Sequence, residues 1–223
     1  MSFKAVIFDF NGTLFNDTDF HNEAWRSFAM NHGKIISDEV IDQNIHGFTN
    51  REILDFLFER KLTQQEHILL YEEKEEIYRG IIQQFPEKCI LAPGAEEFLD
   101  LLQVKNIPRT IATASYRPNV EIYFSLFNLN RWFQFDQVIL DSGEFRGKPY
   151  PDMFLAAALK INIPISQCMI IEDSLGGVNA AKNAGAGSII AISSDNNPGK
   201  FSQLDFIDQI ITDFRQLDLI HNL

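Results

Sequence analysis

The stretch "AVIFDFNGTLFN", residues 5–16, decides the fold, because it supports two readings that lead to different architectures. An Asn-Gly pair between apolar residues is a strong local signal for a tight β-hairpin. A hairpin needs only Asn11 and Gly12, however, and leaves Asp9 unexplained at the end of a run of apolar residues. If the run is instead a buried strand of a parallel sheet, Asp9 stands at its carboxyl end, where open α/β sheets gather their ligands.

The rest of the chain favours the second reading. Short apolar runs recur at "RTIATA" (109–114), "QVIL" (137–140), "CMIIED" (168–173), "SIIAIS" (188–193) and "QIIT" (209–212). Their β-branched content is that of strands covered on both faces. From residue 90 onward they alternate with helical patterns at 95–105, 118–127, 152–161 and 175–184, the last stopped by Gly185. Strand and helix in alternation predict a parallel βαβ core. About 75 residues separate the first two strands and carry helical patterns only, including "QQEHILLYEEKEEIYRGIIQQF" (64–85). A loop of that length inside a compact domain implies an insertion. The expected architecture is therefore a doubly wound, Rossmann-like α/β core formed by 1–15 and 88–223, with a helical cap at 16–87 hinged near Phe15 and Pro86.

Composition narrows the function. The chain has 223 residues, 45% of them hydrophobic, and a formal net charge of −12. That charge disfavours nucleic-acid phosphates and anionic membranes, so an anionic substrate needs local cations or a metal. No segment approaches the roughly 18 uninterrupted apolar residues of a membrane span. The N-terminal residues lack a signal-type pattern, and Cys89 and Cys168 form no CxxC or Cys/His spacing. The expectation is a cytoplasmic protein, monomeric or weakly dimeric, that acts on a small molecule.

The polar residues that end the apolar runs are Asp9, Thr113, Asp141, Glu172 and Asp173. Each one alone is commonly a turn or cap residue. Their order resembles the haloacid dehalogenase superfamily, whose opening signature DxDGT stands here as "DFNGTL" (9–14). Thr113 in "IATAS", Lys148 in "GKPYPDMF" and the acidic stretch "IIEDSLGGVNAAKNAG" (170–185) match its later motifs, and the insertion resembles the helical cap of the β-phosphoglucomutase and phosphatase branch.

The resemblance implies Asp9 as a nucleophile toward phosphorus, with Mg²⁺ held by Asp9, the Asn11 carbonyl, Glu172 and Asp173. An oxygen-only set suits that ion. Lys148 would neutralise charge beside the phosphorylated Asp9, while Thr113, Ser115 and backbone N–H groups of the Asn11-Gly12 turn would hold phosphate oxygens. In the cap, His21, Arg51 and Lys74 fall where the branch meets substrate. Each has a plainer reading: a packing face for His21 with Trp25, an ion pair with Glu52 or Asp55 for Arg51, and a solvated charge run for Lys74. The glycines after Asp173 are expected to serve helix packing.

One position departs from the pattern. The family's second aspartate, which passes a proton to the leaving oxygen, is Asn11 here. A neutral amide donates a hydrogen bond but cannot give up and take back a proton. A metal-free dehalogenase also lacks that aspartate, yet the paired acids Glu172 and Asp173 would then repel each other with nothing to balance them. The expected activity is thus a Mg²⁺-dependent phosphatase acting on a small phosphorylated metabolite. The alternatives are a sugar phosphate mutase and a catalytically weak binder of phosphorylated metabolites.

Overall fold

A computed structural model describes residues 3–45, 49–193 and 197–217. The chain separates into two compact units, Met1–Asn16 with Cys89–Leu223, and Asp17–Lys88.

The larger unit is built on five parallel strands: β1 (Ala5–Phe8), β2 (Arg109–Ile111), β3 (Cys168–Glu172), β4 (Ser188–Ile192) and β5 (Gln209–Ile211), in the order β2-β1-β3-β4-β5. Both faces of the sheet are apolar, as continuous hydrophobic strands require. Ala5, Ile7, Cys168 and Ile170 pack with Met153, Phe154, Ala157, Val178 and Ala181 in one cluster. On the opposite face the Phe8 ring meets Phe98, Phe133 and Phe214 at centroid distances of 5.9, 5.9 and 6.2 Å. The fold is thus the doubly wound, Rossmann-like α/β arrangement.

The expected strand at 137–140 is not formed. A 3₁₀ turn, Phe135–Gln137, precedes it, and Ile139 makes only an isolated bridge to Ala112. Two backbone bonds, Ile139 N–H to Ile111 O and Thr113 N–H to Ile139 O, both 2.9 Å, join it to the sheet, and the Thr110 hydroxyl of β2 donates to Gln137 O at 2.8 Å.

The smaller unit is helical: α1 (Thr18–Asn31), α2 (Asp38–Asn44), α3 (Asn50–Leu57) and α4 (Gln64–Gln84). Thr49 and Thr63 close capping boxes with Glu52 and Glu66, which satisfies exposed N–H groups at the starts of α3 and α4. Its core is Trp25, Phe28, Ile41, Ile45, Ile53, Leu54, Leu57 and Leu62. In the larger unit the remaining helices are α5 (Ala95–Val104), α6 (Arg117–Leu126), α7 (Asp152–Lys160) and α8 (Leu175–Ala184). Pro151 sits just before α7, and Gly185 ends α8 at φ +76°, the left-handed conformation suited to glycine. No helix among the described residues is long and apolar enough to cross a membrane.

Candidate active site

Sheet register assembles the site. Phe8 pairs with Ile111 on one side and Ile171 on the other, so β1, β2 and β3 end level with one another. The Asp9 N–H extends the ladder to Ile171 O at 3.0 Å, which leaves its side chain beside those of Glu172 and Asp173. Ligand oxygens of the three acids all lie within 4.8 Å of one another. Asp9 and Glu172 are buried, at 5% and 1% exposure.

After Asp9 the chain turns sharply. Phe10 O accepts from the N–H groups of Thr13, Leu14 and Phe15, and Gly12 N–H donates to Phe15 O at 2.7 Å. Gly12 has φ +79°, and a Cβ there would lie 2.2 Å from Asp173 Oδ2. The turn therefore requires glycine twice, for its backbone and for the acid it passes. The Asn11-Gly12 turn and the carboxylate at the strand end coexist. The Gly12 N–H, however, is engaged within the turn, contrary to the expectation that it would hold phosphate.

Lys148 is held by two of the acids. Its Nζ donates to Asp9 Oδ1 at 2.5 Å and to Glu172 Oε1. Its side chain is only 15% exposed, so it is no solvated lysine. Burial pushes the ammonium pKa down, but the Asp9 and Glu172 carboxylates outweigh it and raise it above the usual lysine range. The Asp173 pKa is raised as well: burial, Glu172 and Asp9 all hold it well above that of an ordinary carboxylate. Lys148 thus pairs with two of the three acids, and oxygen-only donors at this spacing fit a hard divalent cation.

Glu172 is further fixed by Ser174, whose N–H and hydroxyl reach Oε2 at 2.6 and 3.0 Å, and which caps α8 through Gly177 N–H at 2.9 Å. A Cβ on Gly177 would fall 1.8 Å from the Glu172 carboxyl carbon. Gly177 therefore clears space for a site acid, a more specific task than the helix packing expected of it. Thr13 adds a hydroxyl 3.4 Å from Asp173 Oδ1.

Residue 11 sits in a ring of hydroxyls. Asn11 Oδ1 accepts from Ser115 Oγ at 2.7 Å and Thr113 Oγ1 at 3.2 Å, and its Nδ2 donates to Tyr123 Oη at 3.0 Å. Thr113 also accepts from Ser115 N–H at 3.1 Å. Tyr123 is itself pinned by stacking on Phe10, at 4.6 Å between centroids. Tyr123, Ser174 and Thr13 are contributors that the strand-end reading missed. Ser174 carried a local signal, as a serine placed to cap the helix after Glu172-Asp173, and Thr13 lies in the quoted "DFNGTL" stretch. Asp141 is a turn residue, its Oδ1 accepting from Gly143 N–H at 2.8 Å.

Of the expected site residues, Asp9, Asn11, Thr113, Ser115, Lys148, Glu172 and Asp173 belong to this cluster, while His21, Arg51 and Lys74 lie in the helical unit. There, Lys74 is not part of a solvated charge run: it is 1% exposed. Its Nζ donates to Glu75 Oε1 at 2.8 Å and His21 Nδ1 at 2.7 Å, and lies over the Trp25 and Tyr78 rings. Burial lowers its pKa, opposed by Glu75. His21 Nε2 faces Asp17 Oδ2 at 3.3 Å, and Tyr78 Oη donates to the same oxygen at 2.6 Å. Arg51 is exposed on α3. The ion pairs offered for it are taken elsewhere, as Glu52 closes a capping box and Asp55 accepts from Lys61, Leu62 N–H and His67.

Known proteins resemble the chain along most of its length. It is 28% identical over 201 residues to a phosphorylated carbohydrates phosphatase of Thermotoga maritima, covering 88% of each. It is 28% identical over 188 residues to a β-phosphoglucomutase of Bacillus subtilis, covering 82% of this chain and 80% of that one. Its fold superposes with a TM-score of 0.92 on the crystal structure of a family IA, variant 3 hydrolase from Entamoeba histolytica, at 32% identity and 99% and 96% coverage. The haloacid dehalogenase-like hydrolase family model matches residues 3–185. With that match spanning most of the sequence, the chain belongs to the haloacid dehalogenase-like hydrolases.

Proposed function

We propose that this hydrolase is a Mg²⁺-dependent phosphatase of a small phosphorylated metabolite and that it works through a phosphorylated Asp9. The observation that carries the reading is the convergence of Asp9, Glu172, Asp173 and Lys148 at the carboxyl ends of β1 and β3. The names of the Thermotoga and Bacillus relatives, one a phosphatase of phosphorylated carbohydrates and one a phosphoglucomutase, point to the same class of substrate.

Asp9 attacks phosphorus and accepts the phosphoryl group, and water then releases it as phosphate. Lys148 keeps Asp9 oriented and stays protonated, so its charge faces the transferring group without a change of state. Asp9, the Asn11 carbonyl, Glu172 and Asp173 would hold the cation. When bound, Mg²⁺ supplies the positive charge that lets an anionic nucleophile approach an anionic phosphate. Thr113 and Ser115, whose hydroxyls stand beside Asn11 Oδ1, would hold phosphate oxygens. The helical unit is the proposed seat of substrate choice. His21 and Lys74 carry that proposal better than Arg51, because they share one polar cluster with Asp17 and Glu75. The buried free thiol of Cys168 suits a reducing compartment, and we place the protein in the cytoplasm on that ground.

Phosphate release from a panel of acyl, anhydride, aryl and sugar phosphates tests the reading, with Mg²⁺ present and with Mg²⁺ removed by chelation. Release that depends on Mg²⁺ and vanishes in Asp9→Asn is expected. Chelator-resistant release, or release by Asp9→Asn at the wild-type rate, would overturn it.

A further inference from the structure

We infer that the phosphoryl donors this site turns over best are those whose leaving group departs as a stable anion: acyl phosphates and phosphoric anhydrides rather than alkyl esters such as sugar phosphates. The inference deepens the phosphatase reading above and rests on it.

The protons around Asp9 are already committed. The Lys148 ammonium is shared between Asp9 Oδ1 and Glu172 Oε1, so its hydrogens point at carboxylates. The Thr13 hydroxyl is directed at Asp173. Thr113 and Ser115 direct theirs at Asn11 Oδ1, and the Asn11 amide directs one of its own at Tyr123 Oη. Lys148 keeps its charge between two carboxylates, Asp173 would hold the cation as a carboxylate and carry no proton there, and neither an amide N–H nor an aliphatic hydroxyl passes a proton to an alkoxide at ordinary pH. The amide is held in place: its oxygen takes two hydroxyls, and Tyr123, 1% exposed, fixes its nitrogen. A carboxyl group of the same shape would fit this ring, because hydroxyl hydrogens rotate to donate or to accept. The surroundings of residue 11 therefore do not demand an amide, and the choice of amide sets the chemistry.

The steps balance without an acid only for good leaving groups. Asp9 Oδ forms a bond to phosphorus while the bond from phosphorus to the leaving oxygen breaks. That oxygen keeps the electron pair and departs as a carboxylate or phosphate, unprotonated. Water then adds to phosphorus, the Asp9–phosphorus bond breaks with its electron pair returning to Asp9, and both water protons leave on the released dihydrogen phosphate. A sugar alkoxide would have to depart as a strong base in the first step. General acid help at that point is worth about 10²–10⁴ in rate.

The test is kcat/KM with Mg²⁺ for acetyl phosphate, pyrophosphate, 4-nitrophenyl phosphate, phenyl phosphate and glucose 6-phosphate, using wild type and Asn11→Asp. Residue 11 is verified by mass, since Asn-Gly sequences deamidate. Wild-type kcat/KM should fall steeply with rising leaving-group pKa. Asn11→Asp should raise the sugar phosphate by about 10²–10⁴ and acetyl phosphate by less than about tenfold. The wild-type slope stands as a test by itself should the variant not fold. Turnover with a shallow wild-type slope, or with the same slope in both forms, overturns this inference alone. No turnover of any donor by either form overturns the phosphatase reading, and this inference with it.

Discussion

Lys148 faces two carboxylates, and among the described residues Asp173 stands beside them without an ammonium at bonding distance, an imbalance that governs the chemistry proposed for the cluster. Replacing Lys148 by Ala should lower kcat by about 10²–10³, the scale of losing a preorganised charge-stabilising donor. It should also cost about 3–5 kcal/mol of stability, because two buried carboxylates lose their cation; denaturant titration with Mg²⁺ absent would measure this. Gly177→Ala should destabilise by about 1–3 kcal/mol and weaken Mg²⁺ affinity, since its Cβ would overlap the Glu172 carboxyl. A Gly177→Ala protein with wild-type stability and Mg²⁺ response would mean the overlap is relieved at no cost. At this scale the acids and Lys148 were legible, since each ends a strand or sits in a distinctive motif. Tyr123 was not, because it meets the site only through the fold, and Thr13, though inside the "DFNGTL" stretch, does not end a strand.

At the scale of elements, the joint between α3 and α4 turns on Asp55. It accepts from Leu62 N–H at 2.9 Å, Lys61 Nζ at 3.0 Å and His67 Nε2 at 3.0 Å. The Leu62 N–H and the Lys61 side chain lower its pKa to about 2. A depressed folded-state pKa adds stability above the ordinary carboxylate value, and that stability is lost as pH falls from there toward about 2. Asp55→Ala should thus melt at lower temperature than wild type at pH 7, and the gap should close as pH falls through that window. A constant gap would assign the loss to packing. Strand and helix positions were mostly legible because their apolar periodicity reports burial directly. The segment at 137–140 has the composition of a strand but only two backbone–backbone bonds to the neighbouring strand, and composition cannot count partners. Lys74 misled for the opposite reason: a charge inside "EEKEEIY" reads as solvated until α1 covers it with His21 and Trp25.

For the whole molecule, the reading rests on a parallel sheet that delivers acids from separated stretches of sequence to one place, and on a helical insertion between its first two strands. Lys74→Ala should cost about 3–5 kcal/mol, because Glu75 loses its buried ammonium partner. If the same substitution leaves KM and the ranking of substrates unchanged, Lys74 serves the helical unit's fold rather than substrate choice. The helical character of the stretch between the first two strands was legible in its patterns, but the identity of a substrate is not written in strand patterns. The central claim is that phosphate passes through Asp9. The direct measurement is to mix the enzyme with acetyl phosphate and Mg²⁺, quench in acid within milliseconds, reduce with borohydride, and map the reduced residue by mass spectrometry. The account predicts homoserine at position 9 in wild type and none in Asp9→Asn. Rapid phosphate release with position 9 unmodified at every quench time would contradict it.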